Sequence, residues 1–247
     1  MSKFFVAVLA LLILSLAIYS PNIVRVYKLA NLYNEKSIAK NFISIDKIFE
    51  TSSPIPASEK PYIFEKKEYD LPESYVFEGD ELNLIDGLDH FHTDGLIILH
   101  NGKMLFENYW NGNTKDSKHI AFSVSKSYLS ALFGIAVDEG LIESIDDEVS
   151  KYLDDFDGTG YEDVKIKNLL QMSSGIEFNE DYADPNSDIN RFARATARGS
   201  SFRDFAKTLK NGREQGTYNH YVSIDTQVLG MILESVTDMP LREYLYK

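Results

Sequence analysis

The order of apolar and polar positions divides the chain into a leading apolar run, a polar stretch without period, and a long segment of strand-like and helix-like patterns. Residues 4–19 are apolar apart from Ser15 and follow Met1-Ser2-Lys3. Residues 21–75 break every regular period, most clearly in Thr51-Ser52-Ser53-Pro54-Ile55-Pro56-Ala57-Ser58, and read as a tether. From Gly95 the pattern changes. Gly95-Leu96-Ile97-Ile98-Leu99-His100 and Lys103-Met104-Leu105-Phe106-Glu107-Asn108-Tyr109 flank Asn101-Gly102, the strongest short-range hairpin signal. After a polar loop, Tyr128, Leu129, Ala131, Leu132, Ile135 and Ala136 recur at helical spacing, and Gly140 suits a left-handed cap.

Further along, residues 142–152 read as a loop and short helix rich in Asp and Glu. Residues 164–172 read as a strand end or turn entering a helix that Ser173-Ser174-Gly175 closes. Residues 179–200 hold few aliphatics and many Asp, Asn and Arg, which suits a long surface excursion near a site. A short amphipathic helix is expected over 201–209, a loop over 212–217, and a strongly apolar helix over 226–236 that continues past Pro240 into a last short helix. There are no internal repeats.

Composition narrows the class. The chain has 247 residues, 44% of them apolar and 13% aromatic, enough for a substantial core. A net charge of −13 argues against a nucleic-acid partner, because no basic stripe would neutralise phosphates. The absence of cysteine excludes disulfides, zinc thiolate sites and a cysteine nucleophile. Residues 1–20 fit an export signal or an N-terminal membrane anchor. Ser15-Leu16-Ala17 is an acceptable cleavage site, whereas an uncut 16-residue helix would span about 24 Å against a hydrocarbon core of about 30 Å. Either outcome places the remainder in the periplasm or facing the outside, with a membrane partner only if the segment is kept.

Three Ser-x-x-Lys pairs occur: Ser37/Lys40, Ser44/Lys47 and Ser123/Lys126. The first two lie in a polar, charged stretch where a lysine stays hydrated. Ser123-Val124-Ser125-Lys126 alone follows a hairpin and opens an apolar helix, where hydroxyl and amine share one face in a water-poor site. A serine hydroxyl attacks a carbonyl only if a positioned base takes its proton, and Lys126 can do so in its neutral form. The bland reading of Ser123 is a helix N-cap. Asp89-His90-Phe91-His92-Thr93-Asp94 has the look of a metal run, but no further histidine cluster completes a shell; a loop leading into the hairpin fits better, with no metal and no cofactor. Asp146-Asp147-Glu148 and Asp154-Asp155 read as solvated surface. No Gly-x-Ser-x-Gly elbow is present, which counts against an α/β-hydrolase.

Ser123-x-x-Lys126, Leu169-Leu170-Gln171-Met172-Ser173-Ser174-Gly175 and Tyr221-Val222-Ser223, the last followed by Asp225-Thr226-Gln227-Val228-Leu229-Gly230, stand in an order that resembles the serine β-lactamase-like superfamily. That superfamily includes class C β-lactamases, D-alanyl-D-alanine carboxypeptidases, related esterases and 6-aminohexanoate oligomer hydrolases. Its second motif is usually Tyr-x-Asn. The Tyr-x-Ser form here, with Asn179-Glu180-Asp181-Tyr182-Ala183-Asp184-Pro185, is most similar to the 6-aminohexanoate hydrolase branch. The resemblance implies an α/β (α+β) fold: an antiparallel sheet flanked by helices, with a mostly helical lobe between the Ser123 helix and the Tyr221 segment. It implies a partial hydrolase domain over residues 76–247, with Ser123 as nucleophile, Lys126 as base and Tyr221 as proton relay. Tyr182, in a loop over the substrate, and Ser223 would bind that substrate, a small amide or ester. The family's third motif, Lys/His-Thr/Ser-Gly, has no match after Tyr221, so the sheet is expected to be incomplete at the C-terminus. Two alternatives stay open: a β-lactamase or D-Ala-D-Ala carboxypeptidase, and a catalytically inactive membrane-tethered binding module.

Overall fold

The computed structural model describes residues 24, 27–28, 30–49 and 51–247. The expected signal or anchor over 1–20 lies outside them. Among the described residues, no helix is long and apolar enough to cross a membrane. The chain divides into two compact units, Met1–Ile120 and Ala121–Lys247.

The first unit carries α1 (Ile38–Phe42), β1 (Glu65–Lys66), β2 (Ser74–Phe77), β3 (Asp80–Asn83), α2 (Leu84–His90), β4 (Gly95–His100) and β5 (Lys103–Tyr109). The expected hairpin is present: β4 and β5 pair antiparallel, with Gly95 opposite Tyr109 and His100 opposite Lys103. Asn101 and Gly102 turn the chain with φ of 48° and 72°, the handedness that matches strand twist. The sheet is mixed rather than purely antiparallel. β1 joins β5 in parallel, Glu65 opposite Lys103, so the stretch expected as a tether supplies a strand in the order β1-β5-β4.

The β2–β3 hairpin and α2 were not expected. Their start signals are local: Glu78 and Gly79 both take positive φ at the turn, and Asn83 Oδ1 accepts from Ile85 N at 2.9 Å and Asp86 N at 3.1 Å to cap α2. α2 ends at His90, inside the run that resembled a metal motif. Asp94 is engaged by His119 Nε2 and Asn111 Nδ2, each at 3.1 Å.

The second unit carries α3 (Ser125–Asp138), α4 (Ile166–Leu170), α5 (Asp188–Ala197), α6 (Phe202–Lys207), α7 (Ser223–Thr237) and α8 (Leu241–Tyr246), with 3-10 turns at Phe122–Val124, Val149–Lys151 and Asp154–Phe156. Between α3 and α7 the described chain consists of helices, turns and two isolated bridges, Glu148 with Lys165 and Ile176 with Asn211. That is the expected helical lobe, and the fold is mixed α/β.

Helix α7 forms because Ile224, Val228, Leu229, Ile232 and Leu233 repeat at the spacing of one helical face, and all five are buried. They join Leu132, Phe133 and Ala136 of α3, Ile166 and Leu169 of α4, Phe156 of a 3-10 turn and Tyr161 in one core. Each fully buried aliphatic contributes about 1.5–3 kcal/mol, so α7 is a firm platform. Helix α3 stops where Gly140, at φ 73°, reverses the chain and Leu141 N reaches back to Ala136 O at 2.9 Å. The expected surface excursion over 179–200 contains α5. Ser187 caps it, and Ile189, Phe192 and Ala195, spaced by three, pack on the core.

Candidate active site

Ser123 sits in the 3-10 turn that runs directly into α3, and Lys126 in the first turn of that helix. The i to i+3 separation brings Lys126 Nζ to 3.1 Å from Ser123 Oγ. Tyr221, 98 residues further on, donates its hydroxyl to the same Oγ at 2.8 Å. The lysine ammonium also lies 5.2 Å from the tyrosine ring centroid. The three expected catalytic residues therefore meet at one oxygen. The other two Ser-x-x-Lys serines are engaged with backbone: Ser37 donates to Asn34 O at 3.4 Å and Ser44 to Lys40 O.

Two features of the backbone aim this cluster. Phe122, just before Ser123, has φ of 42°, a left-handed conformation that costs a non-glycine residue about 1–3 kcal/mol. Tyr221 is held by its neighbours. His220 N donates to Met172 O and His220 Nε2 to Phe178 O, both at 2.7 Å; Asn219 Nδ2 donates to Gln171 O at 2.9 Å and Gly216 N to Ser173 O at 2.8 Å. After it, Val222 and Ile224 enter the core. The stretch from Gln171 to Phe178, which contains Ser173-Ser174-Gly175, is thus a structural brace for the tyrosine. Gly175 allows the close approach: its φ is 80°, and a Cβ there would meet Arg213 O at 2.2 Å.

The site is wetter than the sequence implied. Ser123 is exposed, Lys126 half-buried and Tyr221 41% exposed. The reason lies in α3, whose buried residues are Leu132, Phe133 and Ala136, so its second half enters the core while its first turn stays at the surface. The hydroxyl of Ser123 does not serve as a cap.

The expected substrate-binding residues are linked by a third that sequence reasoning missed. Glu180 accepts from Ser223 Oγ at 2.6 Å, from Ser223 N at 3.1 Å and from the Tyr182 hydroxyl at 2.9 Å. Its carboxylate sits at the first residue of α7, where helix N–H groups and dipole favour negative charge. Tyr182 is 67% exposed, and partial burial with the Glu180 hydrogen bond pushes its phenol up to about 12. Tyr221 is shifted the other way. Partial burial raises it, but hydrogen bonding with Lys126 and Ser123 and the lysine charge outweigh burial and the opposing Glu180 charge, leaving the phenol below its ordinary value.

The chain is similar to several known proteins. The Beta-lactamase family model matches residues 83–247. The 6-aminohexanoate-dimer hydrolase of Paenarthrobacter ureafaciens is 32% identical over 165 residues, which cover 64% of this chain and 42% of that protein. The "Putative D-alanyl-D-alanine carboxypeptidase" of Escherichia coli (strain K12) is 23% identical over 220 residues, 78% of this chain and 49% of that one. The chain thus spans less than half the length of these curated relatives. Among solved structures, "Putative 6-aminohexanoate-dimer hydrolase from Bacillus anthracis" superposes with a TM-score of 0.78 at 19% identity, over 87% of this chain and 59% of that one, a likeness of fold. With the family model covering most of the chain, including every residue of the Ser123 cluster, this protein belongs to the β-lactamase family.

Proposed function

We propose that the protein is a serine hydrolase that cleaves a small amide or ester through an acyl-enzyme. The observation that supports it best is the pair of hydrogen bonds from Lys126 and Tyr221 to Ser123 Oγ. The base is assigned to Tyr221 rather than to Lys126, the expected base: in the reacting form the Tyr221 oxygen, its ionisation favoured by the neighbouring lysine charge, accepts the serine proton as Oγ attacks the carbonyl carbon. The Ser123 N–H, at the head of a helix, is suited to hold the developing oxyanion. Tyr221 then protonates the leaving amine or alcohol, and a water activated by Tyr221 and Lys126 releases the acyl group as an acid.

The substrate class rests on Glu180. Where the family's usual Tyr-x-Asn places a neutral amide, this chain has Ser223 bonded to a carboxylate. That charge disfavours substrates with a carboxylate close to the scissile carbonyl, as β-lactams have, and so ranks a β-lactamase or D-Ala-D-Ala carboxypeptidase second. The identity to a 6-aminohexanoate-dimer hydrolase supports an amide. The apolar run over residues 4–19 supports export to the periplasmic or outer face. A fluorophosphonate probe is expected to label the protein and to fail on Ser123→Ala. Absence of labelling in the folded wild type would favour an inactive binding module, and turnover of a chromogenic cephalosporin faster than of aminoacyl anilides would reverse the substrate ranking.

A further inference from the structure

Asp225 lies in the first turn of α7, four residues after Tyr221, and is fully buried. Its Oδ1 accepts from the Tyr161 hydroxyl at 2.9 Å, and Tyr161 is itself fully buried. Its Oδ2 receives no hydrogen bond among the described residues. An ionised carboxylate has only acceptor positions, so burying it with one oxygen undonated is costly. A neutral carboxylic acid has an O–H to give, and the nearby Ser174 hydroxyl can accept it.

We infer that Asp225 is a positioning residue of the proposed site: its protonated carboxyl ties the first turn of α7 to Tyr161 and Ser174, and its ionisation loosens the limb that carries Tyr221 and Ser223. The tie spans three stretches of chain, with Tyr161 before α4, Ser174 after it, and Asp225 on α7. The surrounding charges favour the neutral form. Burial pushes the carboxyl up to about 7; the Ser174 and Tyr161 hydroxyls favour the ionised form and work against that rise, and the Glu180 charge adds to it. The Tyr161 phenol is held well above its usual value and stays a donor. Among the described residues, no cation acts on Asp225. When the proton leaves to solvent, a second carboxylate faces Glu180, which also caps Ser223 and bears on Tyr221.

The sign of the pH dependence follows. The carboxyl is raised above its unfolded value of about 4, so the folded state binds the extra proton between about pH 4 and 7. Its contribution to stability is complete below about pH 4, declines as pH rises toward 7, and is gone above it. The opposite holds for the proton transfer at Tyr221, which improves as that phenol ionises.

The activity half of this inference rests on the hydrolase reading; the stability half does not. Melting temperatures and fluorophosphonate labelling rates are measured from about pH 5 to 8 for the wild type, Asp225→Asn and Asp225→Ala. The wild type is expected to lose several degrees across that range and Asp225→Asn, which keeps shape without a titrating proton, less than half as much. Asp225→Asn should match or exceed wild-type labelling at pH 8, and Asp225→Ala should fall at least tenfold at every pH. Equal pH slopes for wild type and Asp225→Asn overturn the inference. If Asp225→Asn does not fold, isotope-edited infrared spectroscopy of the wild type decides, since a buried carboxylic acid band must be present at pH 5 and fade by pH 9; its absence at pH 5 overturns the inference. A wild type with the stability slope but no labelling overturns the hydrolase reading and retains the buried tie.

Discussion

Ser123 Oγ receives donors from two directions, Lys126 on its own helix and Tyr221 from 98 residues away, and the chemistry at this scale depends on both. Tyr221→Phe removes one donor and the proton acceptor while keeping the ring, so fluorophosphonate labelling should fall about 10²–10⁴-fold with little change in melting temperature. The phenol is held below its ordinary value, so the labelling rate should rise with pH along a limb whose midpoint lies below that of a free tyrosine. The Glu180 charge opposes phenol ionisation, and Glu180→Gln should move that limb to lower pH, which a pH–rate profile measures directly. Ser123, Lys126 and Tyr221 were legible in the sequence because two share a local spacing and the third lies in a recognisable motif. The roles of Glu180 and Asp225 were not, although both stand in the runs that carry the resemblance: the first bonds a residue 43 positions away and the second one 64 positions away, and no local spacing shows such pairings.

Among the elements, strong periods and turn signals were readable. The Asn101-Gly102 hairpin, the Ser125–Asp138 helix with its Gly140 stop and the apolar helix ending before Pro240 all formed where the pattern placed them. Helix α5 escaped because its apolar stripe is only Ile189, Phe192 and Ala195 amid arginines and acids. β1 escaped because two residues carry no period, and only pairing with Lys103 and Met104 defines it. The brace that holds Tyr221 depends on one backbone position. Gly175→Ala introduces a Cβ against Arg213 O and a strained φ, so it should destabilise the fold by about 2–4 kcal/mol. A chemical denaturation midpoint well below that of the wild type, with labelling lost in parallel, is the expected result.

Across the whole molecule, burial is uneven. Among the described residues, the buried hydrophobics of the first unit are Leu32 and Ile48, whereas all the others belong to Ala121–Lys247. Local opening free energy follows buried contacts. Hydrogen exchange followed by mass spectrometry should therefore show long-lived protection in α3, α4 and α7, partial protection in the β4–β5 ladder, and rapid exchange over residues 51–63, which have no regular structure. Every residue of the Ser123 cluster belongs to the well-packed unit, so the donors around Ser123 Oγ share one packed support.

The left-handed Phe122 sets fold stability against the presentation of Ser123. A bulky side chain at φ 42° is a cost to the fold that glycine or asparagine would lower. Phe122→Gly should accordingly raise the melting temperature and slow labelling of Ser123, as expected of a residue strained to serve the proposed site.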